Sequence, residues 1–215
     1  EGMYGDQPAG WDVLGPKENI KKFTREDFIE YRKQHYVAGA TTVVVVGDFV
    51  ESDLIKKIEE LFTGISTSSK KDKLAIVEKQ ESPMIKLKTK ETDQTHILIG
   101  LRTFDSKDPR NSALKVLNSV LGGGISGRLW QKLRTDMGAC YYVNSDTDKY
   151  TDHGLIYVSA GIDLKRIEEV TSAILNELNR FKVELLSTKE LQKGKDYLTG
   201  HIYLGLESSD SLANY

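Results

Sequence analysis

The stretch that most constrains this chain is Leu121–Val143, LGGGISGRLWQKLRTDMGACYYV. Gly122, Gly123 and Gly124 stop one helix, and Ser126 can cap the next. The second helix carries Leu129, Leu133 and Arg134 and ends near Gly138, after which Cys140, Tyr141 and Tyr142 open a strand. A glycine just past a helix followed by β-prone residues is a stop and restart signal. Arg134 is therefore expected in the last helical turn and Tyr141 at the mouth of the strand. From two rigid elements both side chains can point into one cleft, which is one way to build a substrate clamp. The plainer reading is a surface arginine favoured by the helix dipole beside a half-buried tyrosine. Spacing alone leaves both readings open.

The flanking sequence sets the frame for that stretch. Thr24 with Asp27 resembles a capping box, opening a helix with Phe28, Tyr31 and His35 on one face. Thr41–Gly47, TTVVVVG, reads as a strand buried on both faces. A further helix from about Ser52 turns Leu54, Ile58 and Leu61 to one side and closes an α/β unit near Phe62. Thr63–Lys73, TGISTSSKKDK, is polar and small, and its lysines read as a solvated connector rather than a phosphate patch.

Beyond the connector, Met84–Thr89 and Thr95–Phe104 are predicted strands. Asp108 is predicted to cap a helix with Pro109 at its first position and Leu114, Leu117 and Leu121 inward. Ala139–Thr147 and Gly154–Ala160 form a predicted hairpin across Asp148–His153. Asp163 opens a long helix with Ile167, Val170, Ile174, Leu178 and Phe181 inward, and Ser187 with Glu190 makes a capping box before a last helix from Thr188. The fold class is α+β: an antiparallel-rich mixed sheet with helices packed on one face. The expected division is an extended lead-in at 1–17, the end of a preceding α/β domain at 18–62, a linker at 63–73 and a second domain at 74–215. The ending GLESSDSLANY stops inside a helical pattern, so the second domain is expected to be truncated and the chain to be cut from something longer.

Much chemistry is excluded by what the chain lacks. A formal charge of −2 and a pI near 6.2 give no electrostatic case for nucleic acid or an anionic membrane. No apolar run approaches the roughly 20 residues that span a bilayer, and the first residues do not resemble a signal peptide; a cytoplasmic setting is mildly preferred. His35, His96, His153 and His201 never fall three to five residues apart, so no zinc helix of the H-E-x-x-H or H-x-x-E-H kind is present. A zinc site made by this chain alone is not expected. Gly122–Gly124 lack the residues of a P-loop and the spacing of a dinucleotide turn, and read as helix termination and close packing. Cys140, the only cysteine, reads as a small strand residue facing the core.

Several motifs in sequence order resemble the pitrilysin/insulinase zinc metallopeptidases, the family of the mitochondrial processing peptidases. Gly122–Gly124, Ser126, Arg128, Leu129, Trp130, Leu133, Arg134, Gly138 and Tyr141 match that family's second-domain signature. ENIKKFTREDFIEYRKQHYVAGATTVVVVGDF, the turn with Asp152 and Gly154, Ala160-Gly161 and YLTGHIYLGLES resemble it as well. Gly127, Trp130 and Cys140 depart from the usual serine, phenylalanine and alanine. The resemblance implies two related α/β halves closing around a peptide, with the catalytic zinc on an H-x-x-E-H helix of the other half. It implies that Arg134 and Tyr141 hold substrate opposite the metal, and that this chain alone carries no catalytic residue, binds no metal and hydrolyses nothing. The expected partners are a peptide substrate and the zinc-bearing half, on the same parent chain or a partner subunit, with a homodimer also possible. The competing expectation is a non-catalytic structural or peptide-binding subunit of the same fold, as in respiratory-complex core proteins.

Overall fold

Local side-chain chemistry decides where the first long helix begins. In the computed structural model, which describes residues 2–215, the Thr24 backbone N–H donates to Asp27 Oδ2 at 2.8 Å and Asp27 N–H donates to Thr24 Oγ1 at 3.3 Å. This reciprocal cap starts α2 (Arg25–His35), just after the short α1 (Lys17–Lys22). The Thr24 backbone N–H and the Thr24 hydroxyl, both donating to Asp27 Oδ2, hold the Asp27 carboxyl below its ordinary pKa. α3 spans Glu51–Phe62.

The chain divides into two compact units, one formed by residues up to Pro83 together with Gly205–Tyr215, the other by Met84–Leu204. The division falls beyond the 63–73 connector because the connector and its sequel are tied back into the first unit. Ala38 N–H donates to Ser66 O at 2.8 Å, Lys71 Nζ to Gln34 Oε1 at 3.1 Å, and Gln7 exchanges two bonds with the Val77 backbone. Gly205–Tyr215, which includes the short α7 (Ser209–Asn214), groups with the first unit and not with the second.

The predicted strand at Thr41–Gly47 does not form. Its backbone joins no ladder, and Val43, Val44, Val45 and Val46 are 44%, 58%, 42% and 37% exposed. A strand exists only where a neighbour accepts its backbone groups. Among the described residues of this unit, the only β pairing is the isolated Val37–Ser66 bridge. The predicted strand at Met84–Thr89 fails in the same way, with Ile85 and Leu87 bare.

The second unit is organised around one central strand. β3 (Gly154–Ile162) lies between β1 (Thr95–Thr103) and β2 (Cys140–Lys149), antiparallel to both. Ile156, Val158, Ala160 and Ile162 alternate along one face of β3 and are all buried. Ile97, Ile99 and Val143 extend that face, and Leu114, Leu121, Leu129, Leu133, Val170 and Ile174 cover it. Each large side chain enclosed in this way contributes about 1.5–3 kcal/mol. The helices supplying the cover are α4 (Asn111–Gly122), the helical stretch after it that carries Leu129 and Leu133, and α5 (Ile167–Val183). α6 (Thr188–Gly205) opens on the Ser187–Glu190 capping box, with Glu190 N–H donating to Ser187 Oγ at 3.2 Å.

α4 starts later than the Asp108-Pro109 pattern predicts. Asp108 is occupied by Arg110, accepting its backbone N–H at 2.8 Å and its guanidinium at 3.0 and 2.7 Å, so the helix begins at Asn111 without a side-chain cap. At the other end, Gly122 lets α4 lie against β2. A Cβ there would stand 2.6 Å from Ser145 N, which is backbone and cannot swing away. Asn118 Nδ2 donates to Ser145 O at 3.2 Å across the same contact. Gly122→Ala is therefore expected to lower stability by about 1–3 kcal/mol, measured as a drop in the thermal midpoint; an unchanged midpoint would show the helix free to move off the sheet.

Candidate functional site

Arg134 and Tyr141 lie on either side of one corner, where a helix hands over to β2. The helix at Trp130–Asp136 is not the ordinary α-helix the sequence suggests but a wide π-helix, with Met137 N–H reaching back to Lys132 O at 3.1 Å. Such turns are rare and gather at functional sites. Arg134 sits in its last turn, exposed, and its Nη1 donates to Cys140 O at 2.6 Å. The guanidinium is thereby fixed against the peptide group that links Cys140 to Tyr141.

The strand side of the corner is shaped by a bulge. Cys140 pairs with Ile162 and Tyr142 with Gly161, leaving Tyr141 as an extra residue. A bulge re-aims side chains that simple alternation would place elsewhere. Here it keeps Cys140 and Val143 both buried while Tyr141, 56% exposed, stands outside the core. Burial pushes the Cys140 thiol up, against the opposing pull of Arg134, which fits the expected core-facing side chain. Arg166, just before α5, braces the corner: its Nη1 donates to Met137 O and Gly138 O at 3.1 and 3.0 Å while Nε and Nη2 clasp Glu169 at 2.8 and 2.9 Å.

A second feature, on the sheet face away from the core, has no signature in the sequence taken alone. Tyr142 lies across Gly161 and its hydroxyl meets His96 Nδ1 at 2.9 Å, so two outer strands touch over the central one. A Cβ at Gly161 would come within 2.7 Å of the Tyr142 ring, so the bridge depends on that glycine. The signal, readable only once the register is known, is a glycine flanked by a histidine and a tyrosine on its two neighbours. The other histidines are spread out: His153 contacts Asp152 at 2.8 Å and stacks on Tyr150, His35 stacks on Tyr31, and His201 lies beside Tyr197. Among the described residues no three His, Cys, Asp or Glu side chains come together as a metal-binding group, so the residues present do not fit a zinc ion. No helix among them is long and apolar enough to cross a membrane.

Residues 22–198 match the family described as the Peptidase M16 inactive domain, and the chain belongs to that family. An uncharacterized zinc protease of Bacillus subtilis, YmxG, is 31% identical over 209 residues, covering 97% of this chain and 50% of the relative. The crystal structure of a peptidase M16 inactive domain from Pseudomonas fluorescens matches 99% of this chain and 51% of that one, with a TM-score of 0.85 at 20% identity. A chain of complex III from Candida albicans has the same fold, with a TM-score of 0.82 at 16% identity over 99% of this chain and 52% of that one. The chain spans about half the length of the curated relatives it matches. It is thus an inactive-type domain of zinc protease-like proteins, with the α+β architecture of that group.

The signature arginine upstream of the corner serves a different purpose. Arg128 Nε donates to Glu190 Oε1 at 2.8 Å, joining the residues before the π-helix to the start of α6, and the guanidinium lies over Phe181 at 4.8 Å. This hydrogen bond, with those from Ser187, pulls the Glu190 carboxyl down to about 2 from an ordinary 4.5. A depressed carboxylate stabilises the fold above its unfolded pKa, and that contribution is lost as pH falls toward the folded value. Stability is therefore expected to fall between about pH 4.5 and 2, with Glu190→Gln flattening that acid limb. At neutral pH the same substitution should cost about 1 kcal/mol, less than a fully buried pair because Glu190 is partly solvated. An acid limb of the same slope in the variant would refute this assignment.

Proposed function

We propose that this chain is the substrate-holding half of a zinc metalloendopeptidase, with Arg134 and Tyr141 as the residues that hold the peptide. The observation carrying this reading is the corner itself. A π-helix and a β-bulge, two uncommon irregularities, fall on the two elements that present this pair, and both side chains are exposed. Backbone irregularity of this kind is retained where side chains must be aimed rather than merely buried.

The roles follow from the groups. The guanidinium keeps donors beyond the one spent on Cys140 O, and the phenol has a hydroxyl that donates or accepts. An extended peptide crossing the corner would offer its carbonyl oxygens to both. Donors fixed in advance stabilise charge that grows on such an oxygen, because little reorganisation accompanies the reaction. The metal that the relatives' names imply would be held by the other half, whether on the same polypeptide or a partner subunit, and the chain by itself would cleave nothing.

The test is made on the assembled enzyme, with both halves present. Arg134→Ala and Tyr141→Phe should each lower kcat/KM on an extended peptide by on the order of 100-fold, with the thermal midpoint of Tyr141→Phe little changed. Unaltered kinetics in both variants would remove the pair from substrate handling and favour the second reading, a non-catalytic subunit, which the likeness to a complex III chain supports at the level of fold.

A further inference from the structure

We infer that Arg166, aimed by Glu169, is a positioning residue for the substrate-holding pair: it fixes the turn that sets how Arg134 and Tyr141 stand to one another. This rests on the reading of that pair given above. What carries it is the way the short connection between the two residues is held.

One reversal of the chain separates Arg134 from Tyr141, and its pivot has little restraint of its own. Gly138 takes a left-handed φ of 55° and stands in open space. On the inner side two backbone bonds close the reversal, Met137 N–H to Lys132 O at 3.1 Å and Ala139 N–H to Leu133 O at 2.8 Å. The carbonyls of Met137 and Gly138 fall where the helix ends, and the last carbonyls of a helix have no partner within it. Arg166 Nη1 donates to both. Further on, Tyr141 is the bulge residue without a partner on β3, so its placing depends on the backbone to either side. A reversal free to tilt at Gly138 would move Tyr141 relative to Arg134, because one stands before the pivot and the other after it.

Arg166 can restrain that pivot because it is itself restrained. Directly after β3, Lys165 N–H donates to Asp163 Oδ1 at 2.9 Å and Arg166 N–H to Asp163 O at 3.0 Å, which mounts the Arg166 backbone on the end of the central strand. Glu169, in the first turn of α5, then aims the side chain. Nε and Nη2 form a two-pronged pair with its carboxylate, which fixes the plane of the guanidinium and directs Nη1 at the two carbonyls. A lysine has no such plane, so it could meet the carboxylate or the carbonyls only as a point charge. As an exposed ion pair alone, Arg166 and Glu169 would contribute little to stability. The consequence of the pair lies in where it sends the third nitrogen, so that Glu169 acts on the corner through Arg166.

The experiment uses the assembled enzyme for kinetics and the full chain for backbone hydrogen exchange. Arg166→Ala should lower kcat/KM on an extended peptide about tenfold, since a small misplacement of binding groups is costly, and Arg166→Lys should lose nearly as much. Glu169→Gln should cost about threefold, and adding it to Arg166→Ala should change the result by less than about twofold, because both act through one contact. In a Tyr141→Phe background Arg166→Ala should cost only about threefold, whereas a general weakening of the fold would cost its full factor again. In the full chain, Arg166→Ala should speed exchange of the Met137 and Ala139 amides about tenfold while the β3 amides keep their rates. Normal kinetics in Arg166→Ala, where Arg134→Ala and Tyr141→Phe are impaired, would overturn this inference and leave the substrate-holding reading standing. Normal kinetics in all three would remove both. Independent, multiplying losses from Arg166→Ala and Glu169→Gln, or exchange that quickens throughout β3, would reduce the pair to a general stabilising role and overturn it equally.

Discussion

Cys140 and Val143 are both enclosed by the core, yet they stand three positions apart on a strand whose side chains face opposite ways at every step. A straight strand can bury one of them or the other. The extra residue at Tyr141 removes the conflict, and much of the second unit depends on it. The core face of the sheet stays continuous from Ile156 to Ile162, Tyr141 is released to solvent, and Tyr142 is placed to reach over Gly161 to His96. Arg134 and Arg166 then tie the backbone at Met137, Gly138 and Cys140, so the irregular corner is held on both sides by guanidinium groups.

The features legible in the sequence were those decided by neighbours a few residues apart. The capping boxes at Thr24 and Ser187, the β2–β3 hairpin and the inward stripe of α5 from Val170 to Ile174 all follow from short-range rules. The central Arg134–Tyr141 corner was legible in outline: the glycines end α4, Arg134 falls in the last turn and Tyr141 opens the strand region. Its irregular geometry was not. A π-helix and an α-helix share the same apolar spacing over a single turn or two, and a bulge shows only when the partner strand fixes the register.

Where the sequence reading failed, a competing or a missing hydrogen-bond partner decided the outcome. Asp108 has the chemistry of a cap, but Arg110 occupies its carboxylate and displaces the helix start. Thr41–Gly47 has the composition of a buried strand, but composition supplies no hydrogen-bonding neighbour. The two units therefore contrast in kind. Met84–Leu204 closes its sheet face with its own helices, while the N-terminal unit has strand-forming and helix-forming segments without a shared interior.

The lone thiol gives the corner a chemical reporter. Cys140 is 3% exposed and its proton is held more firmly than usual by burial, so thiolate-seeking reagents find no target while β2 is seated. Modification must await departure of that strand's first residue from the interior, the same residue whose carbonyl anchors Arg134. Alkylation rate is consequently a clock for how often the end of β2 comes loose.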